Sequence, residues 1–463
     1  MPPVTLLNVD PQPRGTNPYL QGNFAPLTAE VETGDLWTEG TLPPDLEGYL
    51  LRTGPNPALV PDPDRYHWFS GDGMVHAVAL RDGEARGHRS RWVRTRALSA
   101  ELGTPAPRGP SEAINGPANT HVIHHAGRIL ALCESGLPHR LDRDLSTVQV
   151  EDFDGSLAVP MTAHPHRDPV TGALVSFGYD PFGPPFLWVY EVNAQGTVSW
   201  SRSVELDRCV MMHDMAVTQS RTVVFDLGVV LDEGLAMAGH ALPFRWDAEH
   251  ANRVGLVNRR DPEAAVTWIS VDPCFVYHVM GAFDDGDEVV VDLAVHQASF
   301  DLGIGGRLGS SRPVLERWRI NEATGSLRRS VVDDRSLEFP RIDDQHETLP
   351  YRFGYAAELD ATLGSDTFGG LLKFDRSRDE VEAFAPASGV AMGEPVFVRA
   401  ADGRSDEEGW VLSVAYDPAR DASDLYVLDA SAFKAGPVAV VHLPGRIPFG
   451  FHGSFVNAAQ LGR

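Results

Sequence analysis

The chain has 463 residues, 43% hydrophobic and 22% charged, which excludes wholesale disorder and a coiled coil and suffices to bury a large core without disulfide staples. Lys and Arg total 39 against 64 Asp and Glu, a net charge of -25, and so acidic a surface disfavours nucleic acid or an anionic membrane as a general partner. Three cysteines (Cys133, Cys209 and Cys274), with no C-x-x-C pair, fit a reducing compartment and argue against a structural zinc site. The first residues show no basic segment followed by an apolar one, and no run reaches 18 apolar residues. The expectation is a cytoplasmic protein with neither secretory signal nor membrane span.

Along the chain, short β-branched and aromatic runs alternate with turn chemistry. After the turn RDG (81–83) comes a short helical candidate around Leu98–Leu102. Runs of strand length follow at 127–136, 172–183, 196–206, 221–231, 287–295, 369–375, 409–417 and 424–430. Turn signals punctuate them: DPVTG (168–172), NAQG (193–196), DDGD (284–287), NEATG (321–325) and ADG (401–403). Between them, the apolar loop GLAMAGHALPF (234–244) is read first as packed on the body of the fold and second as dipping into a lipid interface. Many short strands over such a length point to a barrel, a sandwich pair or a propeller. Blades of about 60 residues with their loops would use the whole chain in seven. With no crisp repeat and no linker, the prediction is all-β: a degenerate seven-bladed β-propeller forming a single domain, 1–463.

Of the 17 histidines, four sit among apolar or small residues: His164 in MTAHPH, His213 in MMHDMAV, His278 in CFVYHVMGAF and His452 in FGFHGSFV. Any one alone could be a core histidine with satisfied hydrogen bonds. In a propeller, however, the innermost strands bring distant residues to one axis, and four neutral imidazoles there suit a first-row metal, with Fe, Zn, Cu and Ni all open. A metal-bound histidine needs its second nitrogen oriented, commonly by a carboxylate. Glu134 (ALCESGLP), Glu338 (LEFPRID) and Glu394 (GEPVFV) lie in settings where a solvated charge is not the obvious reading, although each could also be a strand-end surface residue.

The same residues carry a resemblance. NPYLQGNFAPL (17–27), GYLLRTGPNP (48–57), YHWFSGDGMVHAV (66–78), RWVRT (91–95), TAHPHRDPVTG (162–172), HDMAVT (213–218), EFPRI (338–342), EPVFV (394–398) and FHGSFV (451–456) together resemble, in order and over nearly the whole chain, the carotenoid cleavage oxygenases. The resemblance implies a seven-bladed propeller, capped on one face by loops and short helices and bearing non-haem Fe(II) on four histidines: His164, His213, His278 and His452. It implies outer carboxylates at Glu134, Glu338 and Glu394. It also implies cleavage of a conjugated C=C bond by O2 to two carbonyl products, on a hydrophobic alkene reached from a membrane or a carrier.

An apolar tunnel would position such a substrate. Tyr277, Phe451 and Met211, beside proposed ligands, are candidates for its wall, with Trp68, Phe69 and Trp92 behind them; core packing is the alternative for each. Family members that cleave phenolic stilbenes resemble one another in a lysine just before the first outer glutamate. Here that residue is Cys133, which cannot supply a cationic donor. The expected substrate is therefore a carotenoid or apocarotenoid, the alternatives being a stilbene or phenylpropene, or a non-oxidative isomerase on the same scaffold.

Overall fold

The computed structural model describes residues 6–11, 15–111, 116–181, 183–301, 311–360, 362–363 and 367–461. Among these the strands form seven antiparallel sheets of four or five strands and one two-stranded ribbon. The sheets are the blades of a seven-bladed β-propeller, as the sequence predicts. Every apolar run named above contains a strand, and the helical candidate is an α-helix, Arg96–Glu101, whose first turn is closed by the Thr95 hydroxyl accepting from the Leu98 amide at 3.1 Å.

By packing, the chain divides into two compact units. The first comprises 1–152 and 386–463 and holds three blades. One is the meander His121–His125, Arg128–Leu132, His139–Leu141 and Thr147–Val150. The other two mix both ends of the chain. Gly453–Asn457 pairs with Gly48–Pro55, and Thr38–Gly40 adds to the outer edge of the sheet formed by residues 396–442. The second unit, 153–385, holds four consecutive four-stranded blades that begin with His166–Arg167, Ala216–Val217, Phe275–Asp285 and Leu337–Ile342.

Burial follows strand position. The second strand Leu174–Tyr179 is buried throughout, whereas the fourth strand Val198–Glu205 alternates half-buried and exposed positions along most of its length. A strand covered on both faces reads as continuous apolar sequence, and an outer strand reads as period two. The largest core of the second unit runs from Val175 to Ile320 through Phe225, Leu256 and Trp318. Each fully buried side chain of this size contributes roughly 1.5–3 kcal/mol.

The loop 234–244 contains an unforeseen short helix, Glu233–Met237, capped by the Asp232 carboxylate on the Leu235 amide at 3.0 Å. Met237 is 84% exposed, whereas Leu242 packs against the second unit's core and Phe244 belongs to it, so the segment is packed at its end, as the first reading had it, and exposed at its helix. No helix among the described residues is long and apolar enough to cross a membrane.

Candidate metal centre

The four histidines lie on, or one to three residues before, the first strand of a blade. In MTAHPH, Pro165 holds His164 in extended backbone. The Thr162 hydroxyl accepts from the His164 amide at 3.1 Å and donates to the His213 carbonyl at 3.3 Å, joining two of the histidine-bearing segments. His278 lies where its strand departs from regular register, with irregularities between Val276 and Val279 and between Val279 and Gly281. In the first unit, His452 is seated by close backbone approach. A Cβ on Gly54 would fall 2.5 Å from the Gly450 Cα, so glycines are needed where these segments cross. Its amide donates to the Thr120 carbonyl and its carbonyl accepts from Thr53.

Within the second unit the rings of His164, His213 and His278 have centroids 4.6 to 5.1 Å apart. His164 Nε2 and His213 Nε2 are 3.1 Å apart. Two neutral imidazole lone pairs at that distance repel, and a shared cation or proton relieves the repulsion. One nitrogen from each of these three and one from His452 lie within 4.8 Å of one another, a group that could hold a metal ion.

Carboxylates fix two of the rings. His278 Nδ1 donates to Glu338 Oε2 at 2.5 Å, and His452 Nδ1 to Glu394 Oε1 at 2.9 Å. Each bond commits Nδ1 as the N–H, which sets the tautomer and makes Nε2 the nitrogen able to offer a lone pair to a metal. Glu338 sits at a bulge in its strand: Glu338 pairs with Ala357 and Arg341 with Tyr355, Phe339 has φ +52°, and Pro340 occupies an edge position where no ladder N–H is lost. Its remaining capacity is filled by the Phe339 amide at 2.9 Å and His296 Nε2 at 2.8 Å. Burial would raise the pKa of Glu338, but the His278 and His296 imidazoles outweigh it and hold the carboxyl well below its usual range. Glu394 instead accepts from the Gly453 amide at 2.8 Å. Nearby Arg52 is buried, donates to the Gly450 carbonyl, and is pulled down by burial to about 10 despite the attraction of Glu394.

The remaining sequence candidates fall into distinct settings. Glu134 is half-buried two residues past the strand Arg128–Leu132. Tyr277 is buried with its ring 5.5 Å from His213 and its hydroxyl on Ser299 at 2.8 Å. Phe451 packs on Trp68 at 4.5 Å and Phe69 at 5.4 Å, an aromatic group that also takes in Phe449. Met211 is buried in the second unit's core, its amide on the Val229 carbonyl. Trp92 is a core residue, 1% exposed among Ala58, Met74 and Leu98, its indole N–H on the Asn56 carbonyl at 2.7 Å.

Sequence reasoning missed His296, which shares Glu338, and His166, which stands between Asp214 and Glu347 at 2.9 and 2.8 Å. Burial opposes the protonation of His166, but Glu347 and Asp214 outweigh it and hold its pKa well above the usual imidazole value. The available signal was the second histidine of MTAHPH and the aspartate directly after His213.

The profile of the RPE65 (retinal pigment epithelial membrane protein) family matches residues 24–457. A carotenoid cleavage oxygenase of Mycobacterium tuberculosis is 36% identical, covering 95% of this chain and 97% of its own length. The chain belongs to the carotenoid cleavage oxygenase family. Another relative is the carotenoid 9,10(9',10')-cleavage dioxygenase of Crocus sativus, 31% identical over 96% of this chain and 90% of the relative. Among solved structures, the lignostilbene dioxygenase of Pseudomonas brassicacearum superposes with TM-score 0.87 and 27% identity over 96% of this chain and all of its own. Cobalt-substituted apocarotenoid oxygenase (ACO) of Synechocystis does so with TM-score 0.84 and 26% identity over 94% of this chain and 97% of its own. As a carotenoid cleavage oxygenase homologue, this chain is an enzyme of the dioxygenase type, and its four-histidine group is the part able to hold a metal.

Proposed function

We propose that this enzyme, a single catalytic domain over 1–463, is a non-haem Fe(II) dioxygenase that cleaves a C=C bond of a carotenoid or apocarotenoid with O2, giving two carbonyl products. The observation that carries this reading is the four-histidine group in which Glu338 and Glu394 fix the rings of His278 and His452. Four neutral nitrogen donors suit a first-row divalent ion, and outer carboxylates offset its charge without taking coordination positions. His164, His213, His278 and His452 are the proposed ligands, with Glu134, Glu338 and Glu394 as the outer carboxylates. Iron bound there supplies the redox chemistry that lets triplet O2 react with a closed-shell alkene.

The chain's own groups do the rest. The glutamates orient the imidazoles. Tyr277, Phe451, Phe69, Met211 and Trp92 are the proposed apolar side chains that hold the alkene and keep water away. The exposed segment around Met237 is the proposed point of peripheral contact with a lipid surface holding the substrate. Cys133 favours the carotenoid side: it is buried, with Sγ 2.8 Å from the Ser135 carbonyl, and supplies no cation for a phenolate. The likeness to the lignostilbene dioxygenase supports a stilbene as the second reading.

The test is a cleavage assay on Fe(II)-loaded protein with and without O2, on one apocarotenal and one hydroxystilbene, with products identified by mass. Oxygen-dependent aldehydes from the apocarotenal alone are expected. Stilbene cleavage alone overturns the substrate class, and turnover unchanged under anaerobic conditions overturns the dioxygenase.

A further inference from the structure

The proposed ligands of the second unit sit on three separate segments, and Thr162 and Glu338 do not by themselves bind all three together. One carboxylate does. Asp214, 2% exposed, accepts from His166 Nε2 at 2.9 Å and the Met215 amide at 2.7 Å through Oδ1, and from the Val279 amide at 2.8 Å through Oδ2. Val279 follows His278 at the irregular point of its strand, where its N–H is turned from the ladder to this side chain. His166 follows His164 by two residues, and Asp214 itself follows His213. From the other side, Glu347 accepts from His166 Nδ1 at 2.8 Å, bringing in the segment after the strand that bears Glu338.

We propose that Asp214 is a positioning residue of the metal centre, locking the segments that carry His164, His213 and His278 into one arrangement, with His166 and Glu347 as its anchor. The proposal rests on the metal-binding reading above. The donor set explains why a carboxylate stands here. All three partners present N–H, so an amide would aim its own NH2 at one of them, whereas a carboxylate accepts from all. Asp226 offers the internal contrast. It is equally buried, but its partners, His250 and Arg253, lie within its own blade, so it braces one sheet and joins no ligand segments. Groups that orient metal ligands from behind typically change metal affinity by roughly 10–100-fold when removed.

The experiment is Co(II) titration of the apoprotein, read by visible absorption, alongside Fe(II) content and thermal midpoint, for the unmutated protein and for Asp214→Asn, Glu347→Gln and Asp226→Asn. The unmutated protein should bind one Co(II). Asp214→Asn should bind it about 10–100-fold more weakly, with altered ligand-field bands, and Glu347→Gln should alter the same bands to a smaller degree. Asp226→Asn should lower the thermal midpoint and leave the bands unchanged, a separation that a merely stabilising role for Asp214 does not produce. Unmutated affinity and spectrum in both Asp214→Asn and Glu347→Gln overturn the proposal, as does an equal change in Asp226→Asn. If Asp214→Asn does not fold, the spectrum of Glu347→Gln decides alone. An unmutated protein that takes up neither metal overturns the metal reading itself, before any substitution is compared.

Discussion

The two units keep their buried histidines in opposite ways. In the first, His67, His76, His88 and His139 are at most 6% exposed and have no carboxylate partner among the hydrogen bonds and ion pairs described. His76 and His88 share the Ser90 hydroxyl, at 2.7 and 3.1 Å, and His67 Nδ1 accepts from the Phe69 amide. Burial pushes His67, His88 and His139 down to about 4 and His76 well below its usual value. In the second unit, His166, His278 and His296 each face a carboxylate. In the first unit His452 does face a carboxylate, Glu394, and it is the histidine of that unit in the metal-binding group. The lesson is that a buried imidazole can be held in either of two ways: by withholding water, or by directing one N–H to a carboxylate. Only the second leaves an oriented lone pair for a metal. His250 on Asp226 shows that a carboxylate alone does not suffice, since convergence with other imidazoles is also required.

The largest effect should come from the convergent histidines. His278→Ala or His452→Ala should reduce bound iron and turnover to background, whereas His88→Gln should leave iron content unchanged; iron retained at full occupancy in both alanine variants would sink the ligand set. Next comes acid sensitivity. His67, His88 and His139 titrate near 6.5 when unfolded and near 4 when folded, so between these values the unfolded chain binds the extra protons. Their contribution to stability is complete above pH 6.5 and is lost as pH falls toward 4, by on the order of 1 kcal/mol per pH unit for each histidine. Urea midpoints at pH 7 and pH 5 check this, and equal midpoints contradict it.

Smaller again are the glutamates. Glu338→Gln and Glu394→Gln should each weaken metal binding by roughly 10–100-fold. The loss should be greater for Glu338, which holds two imidazoles and a backbone amide, than for Glu394, which holds one imidazole and one amide. The reverse order in a metal titration would mean that the buried charge of Arg52 makes Glu394 the dominant partner. The smallest change belongs to the exposed helix: Met237→Ser should lower co-flotation with neutral vesicles by about threefold with unchanged turnover of a soluble substrate, and equal flotation removes the lipid contact.

Much of this was readable because it is local. Strands at 128–132, 174–179, 221–226 and 409–417 announce themselves by β-branched residues between turn residues, and the Arg96–Glu101 helix by Thr95 ahead of it. The four converging histidines were legible from their apolar settings and the order of their motifs. What escaped depends on partners distant in sequence. Nothing in HDM reveals that Asp214 reaches Val279 and His166, and nothing in VDLAVHQ reveals that His296 shares Glu338 with His278. Trp92 shows the same limit, because an aromatic beside a polar motif looks the same whether it faces a ligand or Leu98. The helix at Glu233–Met237 was hidden because its short apolar stretch carries no helical period, and only the Asp232 cap marks it.

The pairing of Gly453–Asn457 with Gly48–Pro55 has a consequence for biosynthesis. Arg52 and Gly450 share a hydrogen bond although 398 positions separate them. A chain emerging from the ribosome can complete its early meanders one by one, but the sheet begun by residue 48 must wait for the last strand. His452 arrives with that strand. A nascent or prematurely terminated polypeptide therefore lacks the zipped sheet and the final imidazole together, so uptake of a metal by four histidines would report that translation has run past the closing segment.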